Sequence, residues 1–465
     1  MRAADQLQPG ELRGAAEEVV GTPLDEPHTY PIDLPTALRL ADANNLLVAA
    51  ARAKIAVATA EVQAANVLWL PSLRGGTNYN RHDGAIQDVR GFQFDTTRGA
   101  LYAGAGAGIY GAGTPMVHGI YANFHVADAL FAPLAARQFA GAANQAAVAQ
   151  TNDTLLAVTL AYFELLRAGE DLAIALATRD DAEQLADITI AYAETGEGLT
   201  SDANRARTEL ALRRVDVERS REAQRVASAR LAQLLRLHPA CLLVPADSMV
   251  VPIDVMPADV PLADLVAEGL MRRPELAENR MLVAEAVARV RREQWAVFLP
   301  SVIFGASYGG MGAGVTTHLA PFQDRFDFDA VAYWEMRNLG FGERAARREA
   351  RATVWTNNYR YLAVMDQVAR EVVEAQAQVK YRKRQIPIAR QGIEAALASH
   401  LQNVARIEDA KGLPIEALQS IQALVQARRD YLRTLIDYNT AQFTLYRAIG
   451  WPVKLPWQLE APPEG

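Results

Sequence analysis

The chain has 465 residues, 50% of them apolar and 22% charged, with 47 basic against 54 acidic side chains and a net charge of −7. That length excludes a stapled miniprotein, and the acidic balance argues against a nucleic-acid binder, which carries a basic footprint. The single cysteine, Cys241, has no partner for an intrachain disulfide and cannot build a thiolate metal site.

Residues 1–33 read as an N-terminal extension, expected to be poorly ordered. Their opening, MRAADQLQPGELRGAAEEVV, lacks an apolar core behind a basic start, so a signal peptide is not visible, and no cysteine stands near the start to carry a lipid. No run of 18 or more apolar residues occurs anywhere, which argues against a membrane-spanning helix.

The residues after Pro31 are rich in alanine and straight side chains and predict helix up to Pro71, which removes a donor and restricts its predecessor. A first strand is predicted over about 72–82 and a second over about 118–131, where Ile120, Ala122, Phe124 and Val126 alternate with Tyr121, Asn123, His125 and Ala127. Between them, the stretch from Gly84 to Val117 reads as a long Gly-rich loop. Its run GALYAGAGAGIYGAG lacks the strand before it and the Lys-Ser/Thr after it that a phosphate cradle needs.

A helical hairpin is predicted over 134–237. Leu134 to Ala193 contains no proline, and 60 residues of helix span roughly 90 Å, with Leu155, Val158, Tyr162, Leu165, Gly169, Leu172 and Leu176 on a coiled-coil period. Residues 246–261 read as a linker. Then the pattern returns: helix up to Pro300, strands over about 301–310 and 325–335 around a second Gly-rich connection (Gly309 to Asp324), and a hairpin over 340–449 with a kink or break expected at Pro387. Residues 453–465 form a tail.

Two matches at constant offsets identify an internal duplication. Leu70-Pro71-Ser72 with Gly76 and Tyr79 recurs as Leu299-Pro300-Ser301 with Gly305 and Tyr308; Gly198, Leu199, Asp202, Leu210 and Arg214 recur as Gly412, Leu413, Glu416, Leu424 and Arg428. The duplicated segments are 34–245 and 262–452. Half-buried strands of a soluble sheet share the period-two pattern, but pairing through long Gly-rich connections, with aromatics near the strand ends, favours an outer-membrane barrel.

The order of helix, LPS strand, returning strand, hairpin with the tip YAETGEGLTSDANRA, and the same again closing with RRDYLRTLIDYNTAQFTLYRAIG resembles the TolC-type outer-membrane efflux proteins from about Pro35 to Pro452. The resemblance implies a mainly α fold with a membrane β-barrel portion: four strands per protomer, a trimeric twelve-stranded barrel and an α-helical periplasmic tunnel. The strand requirement agrees, because four strands cannot close a barrel and open edges are not tolerated in lipid.

The same resemblance implies a passive exit duct of a tripartite efflux or type I secretion system, not an enzyme. Its partners are further copies in a homotrimer, a periplasmic adaptor, an inner-membrane transporter and outer-membrane lipid, with no nucleic acid, and no cofactor is implied. Gly198, Leu199, Gly412 and Leu413 match the adaptor-contacting tips, and Asp202, Arg205, Glu408, Asp409 and Glu416 are the candidates for gating the entrance. Charged residues beside a helix turn are also ordinary caps, and Asp202 and Glu416 suit that role. The seven histidines, His28, His82, His118, His125, His238, His318 and His400, show no metal-ligand spacing, and the run Lys380, Arg382, Lys383 and Arg384 reads as a solvated face. The alternative function is a soluble coiled-coil scaffold that never enters a membrane.

Overall fold

The computed structural model describes residues 29–107, 117–196, 198–238, 240–247, 249–257, 259–315, 322–408 and 412–451. In chain order the elements are β1 (Thr29–Ile32), α1 (Leu34–Asn44), α2 (Leu46–Asn66), β2 (Ser72–Leu73), β3 (Gly76–Gln87), β4 (Gln93–Ala107), β5 (Val117–His118), β6 (Ile120–His125), α3 (Val126–Glu194), α4 (Thr200–Leu235), β7 (Leu242–Pro245), α5 (Leu262–Arg272), α6 (Pro274–Trp295), β8 (Ser301–Val315), β9 (Phe322–Tyr333), α7 (Phe341–Glu408) and α8 (Pro414–Ala448), with a 3₁₀ turn (Arg337–Gly340) before α7. Two compact units emerge. One uses Met1–Arg52, Ala146–Leu276 and Ala363–Gly465, the other Ala53–Gln145 and Ala277–Leu362, so both cut across the consecutive segments 34–245 and 262–452.

The second unit holds an antiparallel sheet. On one edge of β8, β9 pairs from Ser301 to Gly312; the other edge is shared end to end by β6 (Ser301 to Ala306) and β4 (Tyr308 to Val315). Outside these, β2 pairs β6 and β3 pairs β4, which makes the sheet four strands wide. The Gly-rich loop expected from Gly84 to Val117 is therefore corrected: β3 turns through residues 88–92 into β4, and Gly99 to Ala107 is strand. Small residues make this possible, because a Cβ on Gly104 would lie 2.6 Å from the backbone of Gly309 across the ladder. The rest of the glycine run lies outside the described residues.

The strand expected over 118–131 ends at His125, and α3 begins at Val126 with Pro133 inside it. Asp128 in the first turn accepts from Arg292 of α6 at 2.6 Å and suits the positive helix N-terminus.

Opposed residues in a ladder share a face. Val302, Phe304, Ala306 and Tyr308 therefore lie with Phe124, Ala122, Phe326, Phe328, Ala330, Leu101 and Tyr79 on one apolar face. Ser301, Ser307, Asn123, His125, Arg325, Asp327 and Asp329 lie on the other, polar face. Near the helix ends of this unit Trp69, Trp295, Phe298, Trp334 and Phe341 are exposed, and the Trp334 indole N–H donates to the Phe298 carbonyl at 3.2 Å.

The first unit is helical around a core of Val158, Tyr162, Leu165, Leu231, Leu235, Leu243 and Phe443. Here α1 and α5, each of 11 residues, stop at junctions of nearly equal geometry: Asn45 (φ −68°, ψ 126°) and Arg273 (φ −62°, ψ 122°). The Asn45 amide donates to the Leu234 carbonyl at 2.9 Å. Arg273, only 4% exposed at its side chain, pairs with Glu275 at 3.0 Å and Glu371 at 2.8 Å, and Arg447 closes the cluster on both carboxylates.

The linker expected over 246–261 is laced to α8 along much of its length. The Ile253 N–H donates to Asn439 Oδ1 and the Met256 N–H to Gln442 Oε1, both at 2.8 Å, while the Asn439 amide donates to the Val251 carbonyl. Tyr162 and Tyr438 donate to Asp247 and Asp254. Lys383, read as a solvated cation, reaches Asp254 at 3.3 Å. The break expected at Pro387 does not occur: α7 is continuous from Phe341 to Glu408. One missing hydrogen bond at an exposed position is outweighed by the packing of buried Val368, Val372, Ala375 and Val379 earlier in the same helix.

Candidate functional site at the hairpin tips

Both hairpins of the helical unit reverse with one backbone geometry. At the first tip the Gly198 N–H donates to the Tyr192 carbonyl at 2.8 Å; at the second the Gly412 N–H donates to the Arg406 carbonyl at 2.8 Å. The following residues then cap the returning helices in the same extended conformation, Leu199 at φ −87°, ψ 133° and Leu413 at φ −90°, ψ 131°. Asp202 and Glu416 each donate their backbone N–H to that leucine's carbonyl at 3.0 Å.

The tip glycines are not there for left-handed torsion. Neither has a positive φ; the left-handed residue of the first tip is Gly196 (φ 82°). A Cβ on Gly198 would lie 3.1 Å from the Tyr192 carbonyl carbon, and one on Gly412 3.1 Å from Arg406, so a side chain at either position would crowd the last helical turn. The leucines beside them project outward, Leu199 67% and Leu413 60% exposed.

The gating candidates separate. Asp202 pairs within α4 with Arg205 at 3.5 Å, a local i,i+3 contact. Glu416 pairs across the second tip with Arg406 of α7 at 3.1 Å, which ties the two helices of that hairpin. Glu408 ends α7, and Asp409 lies outside the described residues.

Three participants were not read from the sequence. Arg406 and Tyr192 occupy corresponding positions, each six residues before a tip glycine, and the Tyr192 hydroxyl donates to the Ile407 carbonyl at 3.3 Å, linking the first hairpin to the second. Higher in α4, buried Glu209 accepts from Arg213 and, at 3.4 Å, from the Gln422 amide of α8. Only the Glu209–Arg213 pair had a local signal, its i,i+4 spacing. Beneath the tips Leu185, Ile407, Ala417, Ile421 and Val425 form a small apolar core. Among the described residues no group of His, Cys, Asp and Glu is placed to hold a metal, and no helix is long and apolar enough to cross a membrane.

No protein-family model and no curated protein matches the sequence. Solved structures do match the fold over nearly all of it. A membrane protein from Pseudomonas aeruginosa is 18% identical with a TM-score of 0.74, covering 90% of this chain and 93% of its own. The outer membrane protein VceC from Vibrio cholerae is 15% identical (TM-score 0.72, 90% and 96% covered), and the Campylobacter jejuni CmeC outer membrane channel 13% identical (TM-score 0.74, 93% and 91%). The resemblance read from the residues is thus borne out at the level of architecture, and the fold of this chain is that of the outer-membrane channel proteins.

Proposed function

We propose that the chain is one protomer of a homotrimeric outer-membrane exit duct, a passive conduit of a tripartite efflux or type I secretion system, opened when a periplasmic adaptor and an inner-membrane pump engage its hairpin tips. The observation that carries this reading is the two-faced sheet. Its apolar face, with Phe304, Tyr308, Phe326 and Phe328, suits lipid, and its polar face, with Arg325, Asp327 and Asp329, suits a water-filled lumen. Among the described residues β9 pairs only with β8 and β3 only with β4, so the sheet keeps two open edges. Lipid does not tolerate open edges, and three copies of a four-strand-wide sheet close a twelve-stranded barrel. The exposed aromatic face disfavours the soluble scaffold.

The helical hairpins then continue as a periplasmic tunnel, and the chain is read as a duplicated unit. The equal geometries at Asn45 and Arg273 and at Leu199 and Leu413 support the duplication. In this reading Gly198, Leu199, Gly412 and Leu413 meet the adaptor, and Asp202, Arg205, Glu408, Asp409 and Glu416 stand at the entrance, with the Arg406–Glu416 pair holding the second tip closed. The test is the mass of the detergent-purified chain together with its current in a planar bilayer. A trimer with steady currents is expected; a monomer that stays soluble without detergent and passes no current overturns the proposal.

A further inference from the structure

The duct reading leaves unused a nearly buried histidine just above the tips. His400, in α7, is 8% exposed and faces two other helices. Its Nδ1 lies 3.3 Å from the Ser420 hydroxyl of α8, and its Nε2 lies 3.9 Å from the Asp181 carboxylate of α3. The Ser420 hydroxyl already donates to the Ala417 carbonyl at 2.8 Å. It can therefore only accept from the imidazole, and Nδ1 carries the proton of the neutral ring.

That assignment leaves the Nε2 lone pair toward Asp181, too far for a hydrogen bond. A second proton would put a cation in a site with one distant carboxylate, while Arg428 of α8 opposes it. Burial pushes the pKa of His400 below its ordinary value, Asp181 raising it and Arg428 lowering it. Beside the ring lies a cavity of about 300 Å³, lined by Asp181, Gln184, Ile188, Leu401, Val404 and Ile407, which gives a charged imidazole room to turn out of its place.

We propose that His400 is a proton-released latch: as a neutral ring it locks α3, α7 and α8 together above the entrance, and on protonation it leaves its place and loosens the tips. The sign follows from linkage. A group whose pKa is lower in the packed state than in the open one is driven by acid toward the open one, so the entrance loosens as the pH falls below the ordinary histidine range of about 6.5. The polar and charged groups that act on the ring are Asp181 from α3 and, from α8, Ser420 in contact and Arg428 through its charge. The inference concerns the entrance of the duct and rests on that reading.

The test compares the purified full chain with His400→Gln and Asp181→Asn in planar bilayers at pH 7.5 and pH 5.5. Wild-type conductance is expected to rise about twofold or more on acidification, because protonation of a buried neutral ring favours the open state. His400→Gln, whose amide can still donate to Ser420, is expected to stay low at both values, and Asp181→Asn to respond only at lower pH. A flat wild type, or a full response in His400→Gln, overturns the latch. Amide exchange at residues 400–408 and 412–421, corrected for intrinsic rates, reads the latch without any current. Faster exchange in acid for wild type but not for His400→Gln upholds it even where no channel forms, which would count against the duct alone; equal exchange in both overturns it.

Discussion

Among single residues, Arg273 shows how a buried charge is kept. Its guanidinium pairs with Glu275 and Glu371, and Arg447 pairs with both of these and with Asp153, so two cations are held by three carboxylates. Burial alone would raise the Glu371 pKa, but the Gln367 hydrogen bond and the Arg273 and Arg447 charges outweigh it and hold the carboxyl below its ordinary value. A carboxylate with a depressed folded-state pKa stabilises the fold above its unfolded pKa, near 4.3, and that stability is lost as the pH falls through the lower, folded value. Replacing Arg273 with Met is expected to cost about 3 kcal/mol at pH 7 and to move the onset of acid unfolding upward, because Glu371 loses one of the cations that hold it ionised. Urea unfolding followed at pH 7 and pH 4 checks both. The partner Glu371 lies 98 positions from Arg273, a pairing that no local sequence pattern carries.

For the elements, local chemistry and packing disagree at identifiable places. The helical period from Leu155 to Leu165 was legible because its seam repeats at intervals of three and four, and Val158, Tyr162 and Leu165 are indeed buried; in α8 buried Ile421, Leu424, Leu435, Tyr438 and Leu445 keep the same spacing. Strand β4 was not legible, since Gly and Ala blur its alternation and glycine reads as loop; only the ladder to β3 and β8 makes it a strand. Residues 246–261 carry no period and read as a linker, and Asn439 and Gln442, both essentially unexposed, bind its backbone. Asn439→Ala leaves the Ile253 N–H and the Val251 carbonyl unmatched and is expected to cost about 1–3 kcal/mol. Hydrogen exchange at Ile253 should accelerate accordingly; unchanged protection there would mean the strap is held by other contacts.

On the scale of the whole molecule, the proposed duct makes the two faces of the sheet unequal in their tolerance of charge. Phe326→Lys on the apolar face is expected to cost about 2–4 kcal/mol of barrel stability near the bilayer midplane. Asn78→Lys, opposite Tyr102 on the polar face, should be nearly neutral. The fraction of folded trimer in detergent after heating compares the two. Equal losses would argue against lipid on the Phe326 side. The tip residues belong to this scale as well: Leu199 and Leu413 gain nothing from exposure within one chain, and their position suits a surface completed by another protein.

What the sequence determined by itself is whatever nearest neighbours along the chain enforce. Pro71 and Pro300 stand in the turns between a helix and the strand that follows it, alternation marks β6, β8 and β9, three-four spacing marks the hairpins, and Gly198-Leu199 and Gly412-Leu413 mark the reversals. The tertiary structure alone decided that β4 and β6 share one edge of β8, that Glu416 is paired with Arg406, and that His400 meets Asp181 and Ser420. Those outcomes depend on contacts between distant segments, and their energies come from burial and pairing that exist only once the chain has closed on itself.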